Sequence, residues 1–354
     1  MTTVVSTTGE QAPEPTPAPP PPATGPASER IGLTPPPAEF VPMSRRRLWV
    51  VVLLWLAVVV AIIGLVLYVL EPLFQARTQQ QLFEDYRAEI DRAANSGSGL
   101  PGLAVQTKAP EPGSPVAILE IGDIELQQVV VEGATSTLTQ AGPGHVAGTA
   151  APGQPGNSVV VGRRQMFGGP FRRLEQLEPG DRILVTTTQG QRVYEVDTVE
   201  QKRILPPVDL SDPSSSASSL STGFTPLAGA EATVDVDELY GPTEDDRLTL
   251  VTSASALPTN AERATIVVAK MQGMPYEPTP QGGRTDSGTG LSGDPSAWAP
   301  LVLSLLAFVA TAAAAVLLYR RTSTRVAWLL TTPPLIVFSI LMAESLSRLF
   351  PAWV

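Results

Sequence analysis

The 354-residue chain has no cysteine and one histidine, His145. The first absence removes disulfides, thiolate metal sites and thiol nucleophiles together, and it leaves the redox compartment unreadable. The second removes metal sites and acid–base pairs that need two imidazoles. Charge is scarce too, at 16% of residues against 43% hydrophobic ones, so part of the apolar mass is expected in lipid rather than in a core. The net charge of -10 argues against nucleic acid as a partner, which needs a basic face. No motif calls for a cofactor or a metal.

Proline, by contrast, is plentiful. Residues 1–44 are rich in Pro, Ala, Thr and Glu, with runs at Pro19–Pro22 and Pro35–Pro37. Too little apolar surface is present there to offset ordering entropy, which predicts a disordered cytoplasmic tail of polyproline II character, a spacer rather than a docking motif. Leu48 to Leu70 is apolar throughout and follows Arg45, Arg46 and Arg47. At about 1.5 Å per residue it reaches about 33 Å, enough to cross a bilayer core. Glu71, Pro72 and Leu73 follow instead of a small-residue cleavage site, so 45–71 is read as an uncleaved anchor.

Two more apolar spans, 297–319 and 326–345, are separated by a turn (320–325) holding Arg320, Arg321 and Arg325. The positive-inside rule then places this turn and the N-terminus in the cytoplasm, and the region between the first two spans outside a plasma membrane that the chain crosses more than once. Residues 71–297 carry 16 basic against 29 acidic side chains, in keeping with that orientation. Pro333 and Pro334 predict a kink in the third span, Glu344 an interfacial position, and 346–354 an external tail.

Region 72–115 is expected to hold a juxtamembrane helix, with Phe74, Leu82, Tyr86 and Ile90 at roughly helical spacing, followed by a Gly, Ser and Pro linker; 272–296 is a second such linker. Between them the pattern is of strands: 116–121, 127–131, 158–161, 182–187, 191–199, 247–252 and 265–270 are short, β-branched and bounded by turn residues. This is an all-β pattern, a barrel or a sandwich.

The residues themselves go further. Ala117-Ile-Leu-Glu-Ile-Gly-Asp-Ile-Glu-Leu126, Val130-Val-Glu-Gly133, Gly142-Pro-Gly-His-Val-Ala-Gly-Thr-Ala150, Pro155-Gly-Asn157, Gly162-Arg-Arg164, Gly168-Gly-Pro-Phe171, Leu174, Gly180-Asp181, Leu248-Thr-Leu-Val-Thr-Ser253 and Glu262-Arg263 follow one another in order. In this succession, over 116–271, the chain resembles the sortase family, above all the class E type of high-GC Gram-positive bacteria. The resemblance implies an eight-stranded β-barrel with its active site at one end. It also implies an enzyme that cuts a sorting signal between Thr and Gly with a Cys nucleophile and passes the thioacyl intermediate to an amine. Carried over by position, the Cys falls on Ser253, the His on Arg163 and the oxyanion-stabilising Arg on Arg263, so only the last agrees.

That departure removes the chemistry. A thiol ionises near pH 8.5, whereas an alcohol needs a general base within hydrogen-bond reach. Arg163 stays protonated and accepts no proton. His145 lies in the Gly-Pro-Gly-His stretch, where members of the family often carry a His without a catalytic role. Lys270 and Lys202 are weighed as partners of Ser253 in a Ser–Lys dyad and set aside as surface residues. Asp235, Asp237, Glu238, Glu244, Asp245 and Asp246 lack EF-hand spacing and predict a solvated acidic loop.

Arg163, Arg164, Arg172 and Arg173 are expected around the mouth of the site as a solvated basic rim. With Ser253 and Arg263, the first two are also candidates for binding a carboxylate or phosphate. The Ser-, Pro- and Gly-rich stretch 205–236 is expected to lie over the peptide groove. The leading expectation is a membrane-anchored pseudo-sortase that binds or assembles with envelope membrane proteins, a peptide being a further candidate ligand. The alternative is a serine-dependent hydrolase or acyltransferase using Ser253 and Arg263. A sensor signalling through the Pro-rich tail is a third reading, with less behind it.

Overall fold

The computed structural model of the protein describes residues 45–95, 108–205, 233–255, 263–283, 289–321 and 324–354. The expectations for the tail 1–44, and for most of the first linker and of the 205–236 stretch, therefore lie outside the described residues. Contacts divide the chain into a unit over Met1–Val51, of which only the start of a helix is described, and a second, Val52–Val354, which holds everything below.

Nine strands form one sheet: β1 (Pro115–Ile121), β2 (Leu126–Glu132), β3 (Gly144–His145), β4 (Asn157–Val161), β5 (Arg182–Thr187), β6 (Gly190–Leu205), β7 (Thr233–Asp235), β8 (Arg247–Ser253) and β9 (Arg263–Gln272). Eight of them close a barrel in the order β5-β1-β2-β3-β4-β8-β9-β6, with β6 returning to β5. The ninth, β7, lies outside the ring on the far end of β6, where Thr233 to Asp235 pair with Arg203 to Leu205. All seven expected strands are present. Sequence pattern missed β3 and β7 because two or three residues are too few to show an alternation.

Alternation along the strands separates two apolar clusters. Val160, Leu248, Leu250, Val267 and Ala269 face the barrel interior with Leu119, Phe171 and Leu174. Val159, Val161, Val251, Ala264 and Ile266 face outward from β4, β8 and β9, and they too are buried. A sheet apolar on both faces needs a cover. Here it is supplied by α3 (Val236–Leu239) with Tyr240, by Leu291 and by Phe350, Ala352, Trp353 and Val354.

A second outer cover lies over β1 and β2. Helix α1 (Arg45–Leu65) runs through one π-helical turn, Val66–Leu70, into α2 (Glu71–Asn95). Leu82, Phe83, Tyr86 and Ile90 of α2 pack on Ile118 and Val129, and the Tyr86 hydroxyl donates to the Val116 carbonyl at 2.5 Å. Gln79 serves as a peptide group in miniature. Its amide accepts from Val129 N–H at 2.7 Å and donates to the Val129 carbonyl at 3.1 Å and the Ala141 carbonyl at 2.8 Å. Strand β2 meets β3 only at Val131 and Glu132, so without Gln79 the backbone of Val129 would be buried with no partner on that side.

Part of the stretch read as a second linker is laid on the barrel. Tyr276 N–H donates to the Gly153 carbonyl and its ring lies under Arg192, while Thr279 N–H donates to Gln154. Composition alone signals a loose linker here because these contacts use backbone and amide groups rather than apolar side chains. Helices α4 (Trp298–Arg321) and α5 (Thr324–Leu349) pack along each other, with Pro333 and Pro334 inside a continuous α5. Three helical stretches, Leu56–Asn95, Pro295–Leu318 and Trp328–Leu349, are long and apolar enough to cross a membrane.

Gln79→Leu, which strands three buried backbone groups, is expected to lower stability by about 2–4 kcal/mol. Thermal unfolding of the detergent-solubilised chain measures it, and a midpoint equal to that of the parent would remove Gln79 from the docking of α2.

Candidate functional site

Strands β4 and β8 run parallel in register, Val161 beside Val251, so both end on the same rim of the barrel. Gly162 extends the ladder by one more bond, donating to the Val251 carbonyl at 3.0 Å. A Cβ at Gly162 would lie 2.4 Å from the Phe171 ring, so only glycine lets the chain turn here against the core. Beyond it come Arg163 and Arg164, and beside them Ser253 closes β8.

The Arg163 side chain is wholly buried. Its Nη2 donates to the Ser136 carbonyl at 2.7 Å and hydroxyl at 3.0 Å, Nη1 lies 3.5 Å from the Val354 backbone oxygen, and the guanidinium sits 4.9 Å from the Phe167 ring centroid. Burial lowers its pKa to about 10, and the Glu71 carboxylate pulls the other way. The group therefore stays protonated at neutral pH. Its Nε has no partner. Arg164 donates to the Ser253 carbonyl at 3.3 Å and pairs with Glu175 at 2.8 Å. The Ser253 hydroxyl is turned into its own loop, where it accepts from Ser255 N–H at 3.2 Å.

Arg163, Arg164 and Ser253 are thus brought together. Arg263 opens β9 next to them, and its carbonyl accepts from Ala254 N–H at 2.9 Å, but its side chain is exposed. The expected basic rim is largely consumed. Arg163 is inside the protein, Arg164 is ion-paired, Arg173 pairs with Glu125 at 2.9 Å, and Arg172 donates to the Gly168 carbonyl.

The remaining candidates are occupied elsewhere. His145 is buried between Glu132 (2.8 Å from Nδ1) and the Ala150 carbonyl (2.9 Å from Nε2). Lys270 pairs with Asp197 at 3.0 Å, about 20 Å along β9 from the residue opposite Ser253. Lys202 pairs with Glu200. Of the acidic cluster, Asp235 caps α3, Asp246 holds Gly156 N–H at 2.8 Å and Asp245 pairs with Arg247.

One participant was not foreseen. Residues 346–354, expected as a tail, continue α5 to Leu349 and then return to the rim. There Trp353 and Val354 are each 1% exposed. The Trp353 carbonyl accepts from Arg164 N–H at 3.1 Å and Ser253 N–H at 3.2 Å. Ser136 and Gly290 complete this arrangement. The only sequence signal for it is Pro351 ending an apolar helix just before a Trp.

Residues 119–272 match the family model described as "Sortase domain". The match takes in the barrel from Leu119, within β1, to Gln272 at the end of β9. The sequence is 33% identical over 123 residues to sortase D of Bacillus subtilis, covering 34% of this chain and 61% of that protein. It is 35% identical over 96 residues to sortase SrtE1 of Streptomyces coelicolor, covering 25% of this chain and 27% of that one. The chain thus spans less than two thirds of either relative. Among solved structures, a Clostridium perfringens sortase D5 transpeptidase is similar at 19% identity and a TM-score of 0.39, covering 56% of this chain and 99% of that one. Sortase E1 of Streptomyces coelicolor with a tripeptide in its active site is similar at 27% identity and a TM-score of 0.33, covering 48% and 94%.

In the barrel, Gly162→Ala is expected to cost about 1–3 kcal/mol through overpacking against Phe171. Chemical denaturation reads the loss, and an unchanged midpoint would show that the rim relaxes freely.

Proposed function

We propose that this chain is a catalytically degenerate sortase, held in the plasma membrane by three helices with its N-terminus in the cytoplasm and its barrel outside. In this reading it binds peptide or assembles with membrane proteins rather than transferring sorting signals. Sortases are cysteine transpeptidases, and this chain contains no cysteine. The observation that carries the reading is the setting of Ser253, the residue in the nucleophile's place. Its hydroxyl is tied to Ser255, and the side chain in the histidine's place is the buried Arg163, protonated and holding Ser136. Among the described residues, an alcohol in that company has no neighbour to take its proton. The apolar helices α4 and α5 leave broad surfaces for lipid or for lateral partners.

The serine-dependent alternative has one feature in its favour. Two backbone N–H groups, of Ser253 and Arg164, converge on one carbonyl oxygen, as donors to an oxyanion do. Among the described residues it lacks a base to match.

A fluorophosphonate or sulfonyl fluoride probe, incubated with the full chain in detergent, is expected to leave the intact mass unchanged. An adduct that maps to Ser253 and disappears in Ser253→Ala would establish the serine reading instead.

A further inference from the structure

The outer face of β4, β8 and β9 is covered by a segment that lies far beyond them in sequence, and the contacts are those of a bound peptide. Phe350 carbonyl accepts from the Ser136 hydroxyl at 2.8 Å, Ala352 N–H donates to the Gly290 carbonyl at 3.0 Å, and the Trp353 carbonyl takes the N–H groups of Arg164 and Ser253. Val354 oxygen lies 3.5 Å from the buried Arg163 guanidinium. Between these polar anchors, the side chains of Ala352, Trp353 and Val354 join Val161, Val251 and Ile266 in one apolar cluster. The segment is a turn, in which Val354 N–H donates to the Pro351 carbonyl at 3.2 Å; its main chain meets the strand ends while its aromatic side chain is buried, as an anchor residue of a bound peptide is.

We infer that the rim of the barrel is a site for a short apolar peptide that turns over a small residue followed by an aromatic one, and that Phe350–Val354 is its tethered ligand. This rests on the reading of the rim as a place that holds peptide rather than cuts it. Any peptide arriving in trans must displace the tether. Helix α5 ends at Leu349, one residue before the bound segment, so the ligand is presented at short range. Short tethers give effective concentrations on the order of 1 mM, so a free peptide of about 10 μM intrinsic affinity would bind the intact chain about 100-fold more weakly than a chain without the segment.

The probe is the synthetic peptide Leu-Phe-Pro-Ala-Trp-Val, the sequence of residues 349–354, carrying a fluorophore. Anisotropy is measured with the full chain and with a chain stopped after Leu349, both in detergent and both checked by thermal melting. Tight binding to the shortened chain, with at least tenfold weaker binding to the full one, is the expected result. A shortened chain that melts cooperatively and ignores the peptide overturns the inference.

Should the shortened chain fail to fold, the cysteine-free background decides the matter. Val354→Cys, at a position 1% exposed, should react with a soluble maleimide at least tenfold more slowly than Met274→Cys, at a position 83% exposed, and excess peptide should speed it up. Equal rates at the two positions, or a Val354→Cys rate that excess peptide does not change, overturn the inference. Labelling of Ser253 by the serine probe would dispose of the degenerate-enzyme reading while leaving this binding result intact, and the reverse also holds.

Discussion

The parallel pairing of β4 with β8 is the constraint on which the rim depends. Parallel neighbours end together, so residues about 90 positions apart, Arg163 and Ser253, arrive side by side without any contact of their own having to draw them in. The same pairing creates a debt of hydrogen bonds. Where two strands stop, the next N–H groups, of Arg164 and Ser253, point out of the ladder with no strand to receive them. Buried donors of this kind need an acceptor, from protein or from water. In this protein the Trp353 carbonyl meets both. The rim is therefore a place where a carbonyl is wanted, whichever chain supplies it.

Arg163 explains why the place is rigid. A fully buried guanidinium is costly unless its donors are used, and here they tie three separate stretches together: Ser136 after β2, Phe167 in the following loop and Val354 after α5. Lysine has a single charged tip and could not span these directions. A histidine in this place would serve proton transfer, whereas an arginine so enclosed serves architecture. Its pKa, lowered by burial only to about 10, leaves the charge in place at neutral pH, and Glu71 offsets part of the burial cost from the helix side.

How much of this was readable beforehand follows from what each feature is made of. Seven strands were readable because each is a β-branched run of four or more residues bounded by turn residues, and the barrel followed from the order of glycine-rich motifs between them. Arg163, Arg164, Ser253 and Arg263 were placed by position in that order, and the first three do converge. That Arg163 faces inward was not readable, because nothing in Gly162-Arg-Arg164 distinguishes a fully buried arginine from its partly covered neighbour. The docking of α2 adds to its apolar face a glutamine that satisfies the backbone of Val129 and Ala141, a role that hydrophobic spacing does not encode. The covering segment was missed for a related reason: five residues after an apolar helix carry no period at all.

The two outer covers bear on how barrel and membrane helices are joined. Helix α2 continues directly from the first span and docks on β1 and β2, while the segment after α5 docks on β4 and β8. The barrel is thus gripped at two places by the ends of helices long enough to lie in lipid. A linker of glycine and serine would let the domain tumble, but two docked attachments resist it, since each helix end would have to break its own buried hydrogen bonds first. Of the two grips, that of α2 is made by side chains on a regular helix. The other is made largely by main-chain groups of a few residues, and a competing peptide that turns in the same way can offer the same groups. Release, where it occurs, should therefore begin at the rim.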